Sequence, residues 1–200
     1  MKRLIALVLL FALALAQGLE AFWKAVEVPG GVCADGSPYR FYVSPGDPRK
    51  VVVDFQGGGA CWDQATCGPE SRTYRKRVDV QELYLAQGIY NRMSVANPFF
   101  GWTHVFVPYC TGDLHVGRAT VDYGGFKVHH QGARNAQAAL EYVFRNHTNP
   151  ERVFVTGCSA GAHGAVPRAA RILAPDKNAQ IAVCGAAGAG VVTEASPGAT

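Results

Sequence analysis

The chain has 200 residues, 48 % of them hydrophobic and 17 % charged, with a formal charge of +4. That length suits one domain, or at most two small ones, burying roughly 70 % of its unfolded surface, and the composition excludes a disordered tail, a collagen-like repeat and a coiled coil. Lys2 and Arg3 carry half of the net charge, so the remainder shows no nucleic-acid footprint.

The first sixteen residues read as a secretory signal: Lys2 and Arg3, an apolar run from Leu4 to Leu15, then Ala14-Leu15-Ala16 with cleavage expected after Ala16. The run is short for a membrane span, and no second stretch of spanning length follows. The expected product is therefore secreted or periplasmic, with no membrane contact after cleavage. Its domain would occupy residues 17–200.

Beyond the signal, Tyr39–Val43 alternates as a strand, and Lys50–Phe55 is a β-branched run entering the loop Gln56-Gly57-Gly58-Gly59. Arg72, Arg75, Lys76 and Arg77 form a basic cluster. It reads as a solvated loop, with attraction for a polyanion as the functional alternative. A helix is expected over Gln81–Ile89, a strand over Thr103–Val107, and a longer helix over Ala133–Arg145, where Ala136, Leu140, Val143 and Phe144 share one face. Arg152–Thr156 is a further strand. The helix expected over Ala160–Leu173 contains Pro167, which should kink or end it. Ile181–Cys184 makes a last short strand. Apolar strands alternating with helices predict an α/β fold with a mostly parallel sheet covered on both faces.

In an exported chain the six cysteines, Cys33, Cys61, Cys67, Cys110, Cys158 and Cys184, favour disulfides over a zinc or redox site. Cys61 and Cys67 are close enough to clamp a small loop; the other pairings stay open among the 15 that six cysteines allow. His129 and His130 diverge as neighbours and no third ligand is suggested, so no metal is expected, and no cofactor.

The segment Gly157-Cys158-Ser159-Ala160-Gly161 matches Gly-x-Ser-x-Gly. A strand enters it and a small-residue run leaves it, the arrangement of a nucleophile elbow that would expose Ser159 as a catalytic nucleophile. An attacking serine also needs donors for the oxyanion. The glycine loop after the Lys50–Phe55 strand can present backbone N–H groups because no Cβ blocks approach, and Ala160 would add another. A phosphate cradle fits less well, since no Gly-Lys-Ser/Thr follows.

Three blocks, Phe55-Gln-Gly-Gly-Gly-Ala-Cys-Trp62 with Cys67, Val107-Pro-Tyr-Cys-Thr-Gly-Asp113, and Gly157-Cys-Ser-Ala-Gly161, together resemble the pectin acetylesterase and Notum family of secreted carboxylesterases. The resemblance implies an α/β-hydrolase fold and removal of an acyl group, acetate from a polysaccharide such as pectin or a longer chain from another ester. It implies Ser159 as nucleophile, Gly58, Gly59 and Ala160 around the oxyanion, and Trp62 near the pocket. Asp113 and His115 are candidate pocket residues, with polar loop residues as the competing reading. In this fold the triad's Asp and His follow the serine. Between Ser159 and Thr200 the acids are Asp176 and Glu194 and the histidine is His163. His163 lies one helical turn on, with its ring expected along the helix, so the base and acid, and the last strands of the sheet, are expected beyond Thr200. A non-catalytic hydrolase that binds carbohydrate through Trp62, Trp102 and the basic cluster is the rival reading.

Overall fold

The computed structural model describes residues 22–173 and 179–188. The expected signal segment, Asp176 and Glu194 lie outside them. Eight strands are described: β1 (Lys24–Val32), β2 (Pro38–Ser44), β3 (Asp47–Phe55), β4 (Trp102–Val107), β5 (Ala119–Asp122), β6 (Lys127–His130), β7 (Arg152–Cys158) and β8 (Gln180–Ala186). The helices are α1 (Gln64–Cys67), α2 (Gln81–Leu85), α3 (Gly132–Asn146) and α4 (Ala160–Leu173), with a 3-10 turn at Gly88–Tyr90.

Six strands form one sheet in the order β1-β2-β4-β3-β7-β8, while β5 and β6 make a separate hairpin. The four strands β4, β3, β7 and β8 run parallel, and β2 and β1 add antiparallel at one edge. Parallel neighbours require long crossovers. Here α1 and α2 lie between β3 and β4, α3 between β4 and β7, and α4 between β7 and β8.

Alternation along the strands supplies the two faces. Val51, Val53, Phe55, Val105, Val107, Val153 and Val155 pack with Ala136, Ala139, Leu140 and Val143 of α3 and Ala165 of α4. On the other face Tyr42 and Phe106 pack with Trp23, Val80 and Leu83. Each fully buried Val or Phe side chain contributes about 1.5–3 kcal/mol, so the centre of the sheet is its most stable part. The expected parallel α/β arrangement is the one present.

Two expected helices differ in detail. The Gln81–Ile89 helix stops at Leu85 because Ala86 adopts the left-handed conformation (φ 48°), and the chain resumes as the 3-10 turn. α4, by contrast, continues through Pro167 to Leu173. Val166 and Pro167 are exposed, so the carbonyl that loses its N–H partner at the proline lies on the water side, where its loss is tolerated.

Cys61–Cys67 closes a short loop and Cys33–Cys110 ties the end of β1 to the loop after β4. Cys158 and Cys184 are corrected as disulfide candidates: both are exposed free thiols. They sit on neighbouring strands out of register, Thr156 facing Cys184 and Cys158 facing Ala186, a diagonal that a disulfide spans poorly. Replacing both Cys33 and Cys110 by serine is expected to cost about 4 kcal/mol, against about 2 for the Cys61–Cys67 pair, because the first closes a much longer loop. Urea unfolding of the two double variants checks the order.

Candidate active site

β7 delivers the chain to Ser159, which adopts φ 57° and is exposed, before α4 begins at Ala160. A left-handed conformation at a non-glycine residue costs roughly 1–2 kcal/mol, and the surroundings enforce it. The Ser159 N–H donates to the Ala186 carbonyl at the end of β8 (2.8 Å), and the Ser159 carbonyl accepts from Ala162 N–H (3.0 Å). Both flanking glycines are sterically required. A Cβ on Gly161 would lie 1.9 Å from the Phe55 carbonyl oxygen, and one on Gly157 would lie 2.2 Å from the Gly161 oxygen.

The parallel register aligns Phe55 with both Val107 and Gly157. The loops after β3 and β4 and the elbow after β7 therefore emerge at one edge of the sheet. A Cβ on Gly57 would stand 3.4 Å from Ser159 Cβ, which brings the glycine loop against the serine. Gly58 accepts from Arg75 N–H (2.9 Å). Gly59, at φ 79°, passes so close to Thr73 that a Cβ would lie 1.8 Å from its carbonyl oxygen. The N–H groups of Gly58 and Gly59 meet no protein acceptor among the described residues, and Ala160 opens α4, where an N–H has no partner within its own helix.

Of the two pocket candidates, Asp113 is half-buried and His115 is buried. Asp113 accepts from Thr111 Oγ1 (2.7 Å), His115 N–H (3.1 Å) and Gly132 N–H (2.7 Å), fixing the turn before α3. His115 is 1 % exposed, and its Nε2 lies 2.9 Å from the Gln56 carbonyl oxygen. Burial pushes its pKa down to about 4, so the ring is neutral, and since a carbonyl only accepts, Nε2 carries the proton. Trp62 is 56 % exposed, on the loop closed by Cys61–Cys67.

Sequence reasoning missed Gln56. Its side chain, 4 % exposed, donates to the Asp79 carbonyl (2.7 Å) and Glu82 (2.8 Å) and accepts from Tyr109 N–H (2.9 Å). Glu82 in turn pairs with Arg75 at 2.7 Å. Others of the basic cluster are also tied into the loop: Lys76 donates to the Gly68 carbonyl and lies over the Tyr74 ring, and Arg77 pairs with Asp35. Carboxylates thus offset the charges of Arg75 and Arg77, while Lys76 is held by neutral carbonyls and keeps its charge, which fits the solvated-loop reading of the cluster.

Among the described residues no histidine hydrogen-bonds Ser159 Oγ. His104 is enclosed between Trp23 and Tyr90 on the other face of the sheet, His129 pairs with Thr120, His130 with Tyr123 and the Thr111 carbonyl, and His147 with the Pro48 carbonyl. His163 is half-buried on α4. Cys61, Cys67 and His130 share a buried corner with candidate ligand atoms within 4.8 Å of one another, but sulfurs bonded to each other lack the thiolate that binds a metal.

A pH dependence of stability follows from His115. Its folded pKa is lowered, so between about 6.5 and 4 the unfolded chain binds a proton that the folded chain refuses, and stability falls as pH falls. The expected loss is about 3 kcal/mol from pH 7 to pH 4, and His104, also pushed down by burial, adds in the same direction. Thermal melts across that range, with His115→Gln flattening the slope, test it.

A cleft of about 320 Å³ lies between β1 and α3 and another of about 250 Å³ beside β7 and β8; neither includes Ser159 or the glycine loop. No helix among the described residues is long and apolar enough to cross a membrane.

Comparison with known proteins places the chain among carboxylesterases of related sequence. The chain is 28 % identical over 151 residues to pectin acetylesterase 11 of Arabidopsis thaliana, covering 72 % of this chain and 39 % of that protein. It is 27 % identical over 142 residues to palmitoleoyl-protein carboxylesterase NOTUM of Schmidtea mediterranea, covering 66 % and 26 %. The chain thus spans well under two thirds of the relatives it matches. The crystal structure of the Wnt deacylase Notum from Drosophila shares the fold, with TM-score 0.60 and 22 % identity over 82 % of this chain and 51 % of that one. The family model described as Pectinacetylesterase matches residues 18–196, and with an α/β-hydrolase-like sheet beneath those residues the chain belongs to the pectinacetylesterase family.

Proposed function

We propose that the protein is a secreted or periplasmic serine carboxylesterase that removes acetyl groups from a polysaccharide such as pectin. The observation that carries this reading is Ser159, exposed at φ 57° with the glycine loop against it. Ser159 Oγ would attack the ester carbonyl while the N–H groups of Gly58, Gly59 and Ala160 hold the oxyanion, and water would release the acyl-enzyme. The proton of Ser159 passes to a base that the described residues do not place beside it. No cofactor enters this chemistry. Export is supported by the N-terminal charge and apolar pattern and by the two disulfides.

The test is acetate release from acetylated pectin by the 200-residue chain, run beside fluorophosphonate labelling of Ser159. Acetate release and labelling support the reading. Turnover of long-chain esters with none of acetyl esters assigns the chain to the Notum-like deacylases, and a folded chain inert in every assay favours the non-catalytic reading.

A further inference from the structure

His115 joins the two halves of the candidate site. Its carbonyl accepts from the Arg168 guanidinium of α4, the helix that Ser159 launches, and Arg168 also donates to the Gly164 carbonyl (2.9 Å). A Cβ on Gly164 would lie 2.9 Å from the His115 ring, so the glycine makes room for the imidazole against α4. The ring meets Phe55 edge-on, centroids 5.4 Å apart, and lies 4.8 Å from Tyr109. Its backbone is itself left-handed, φ 64°. From that seat Nε2–H reaches the Gln56 carbonyl at 2.9 Å.

The Gln56 carbonyl and the Gly57 N–H belong to one planar trans peptide. Fixing the oxygen therefore fixes the direction of the Gly57 N–H and the orientation in which the chain enters Gly57. Glycines otherwise leave that orientation open, since each samples a wide range of φ and ψ. The Gln56 side chain anchors the same residue to Asp79, Glu82 and Tyr109, but among the described residues it is the His115 bond that restrains the carbonyl of that peptide.

We propose that His115 is a positioning residue for the oxyanion loop, holding the Gln56–Gly57 peptide in register with the helix that begins at Ser159. This rests on the serine-esterase reading for its catalytic consequence, though not for its structural one. An oxyanion hole works because its donors are already aimed before charge develops. A loop whose Gln56–Gly57 peptide plane could swing freely would lose that preorganisation.

The experiment compares His115→Gln, whose side-chain amide can reach the same carbonyl, with His115→Met, of like length and without a donor, in the full 200-residue chain. Amide hydrogen exchange reads the loop, and the saturating rate of fluorophosphonate labelling reads the hydroxyl environment. His115→Met is expected to raise exchange at Gly57–Ala60 about tenfold while Val51–Phe55 keeps its protection, and to lower the saturating labelling rate about 10- to 100-fold with the half-saturating probe concentration unchanged. His115→Gln is expected to restore both. Should His115→Met not fold, His115→Phe, which keeps ring volume without the donor, takes its place. Unchanged exchange at Gly57–Ala60 in a folded donorless variant overturns the proposal, as does a glutamine variant no better than methionine. A wild-type chain that never labels overturns the esterase reading instead, and exchange alone then decides the role of His115.

Discussion

Ser159→Ala is expected to abolish fluorophosphonate labelling and to reduce any esterase activity by about 10⁴-fold or more, the loss that follows removal of an attacking hydroxyl. The melting temperature should stay within a few degrees of wild type. Ser159 is exposed, its own bonds at the turn are made by backbone atoms, and alanine meets the same left-handed cost as serine. The substitution therefore separates chemistry from folding. Intact-mass detection of the phosphonyl adduct, with circular dichroism on the same sample, gives both readings. Labelling that survives in the alanine variant would place the reactive group elsewhere and remove the basis for the mechanism.

Gly161→Ala is expected to do the opposite and destroy the fold. The added methyl would stand 1.9 Å from the Phe55 carbonyl oxygen and 2.8 Å from its carbon, where neither group is a flexible side chain that can swing away. Relief requires α4 to lift from the end of β3, which opens contacts of Ala165 with the strands beneath. A cost of 4 kcal/mol or more is expected, a large part of the roughly 5–15 kcal/mol that holds a domain together. Gly101→Ala is the contrast. It has φ 76° but no atom within 4 Å of the new methyl, so only the backbone term of about 1–2 kcal/mol applies. Equal melting temperatures for the two variants would show that the elbow packs less tightly than this.

The parallel centre was legible because its strands are buried on both faces and read as unbroken β-branched runs: Val51, Val52 and Val53 are all 0 % exposed. β1 was not, since an edge strand with Pro29, Gly30 and Gly31 and a register break between Glu27 and Val32 carries no such run. The β5–β6 hairpin was missed for a related reason; its strands are four residues each and mostly polar. At the site, the elbow and glycine loop announced themselves through local backbone demands that only glycine meets. Gln56 gave no signal and the role of His115 was not legible, because their partners lie 23 to 59 residues away and such pairings arise only in three dimensions.

The two disulfides also carry an order in time. A chain crossing a membrane N-terminus first presents Cys33, Cys61, Cys67 and Cys110 before Cys158 and Cys184. Four thiols admit only three pairings, and in such a chain the native one would be free to close both bonds before the elbow strand emerged. The late thiols would then meet no free partner among the earlier ones. The loop bearing His115 would be tethered ahead of the helix it later joins, so that sequential emergence would resolve a choice that simultaneous oxidation of the unfolded chain leaves to chance.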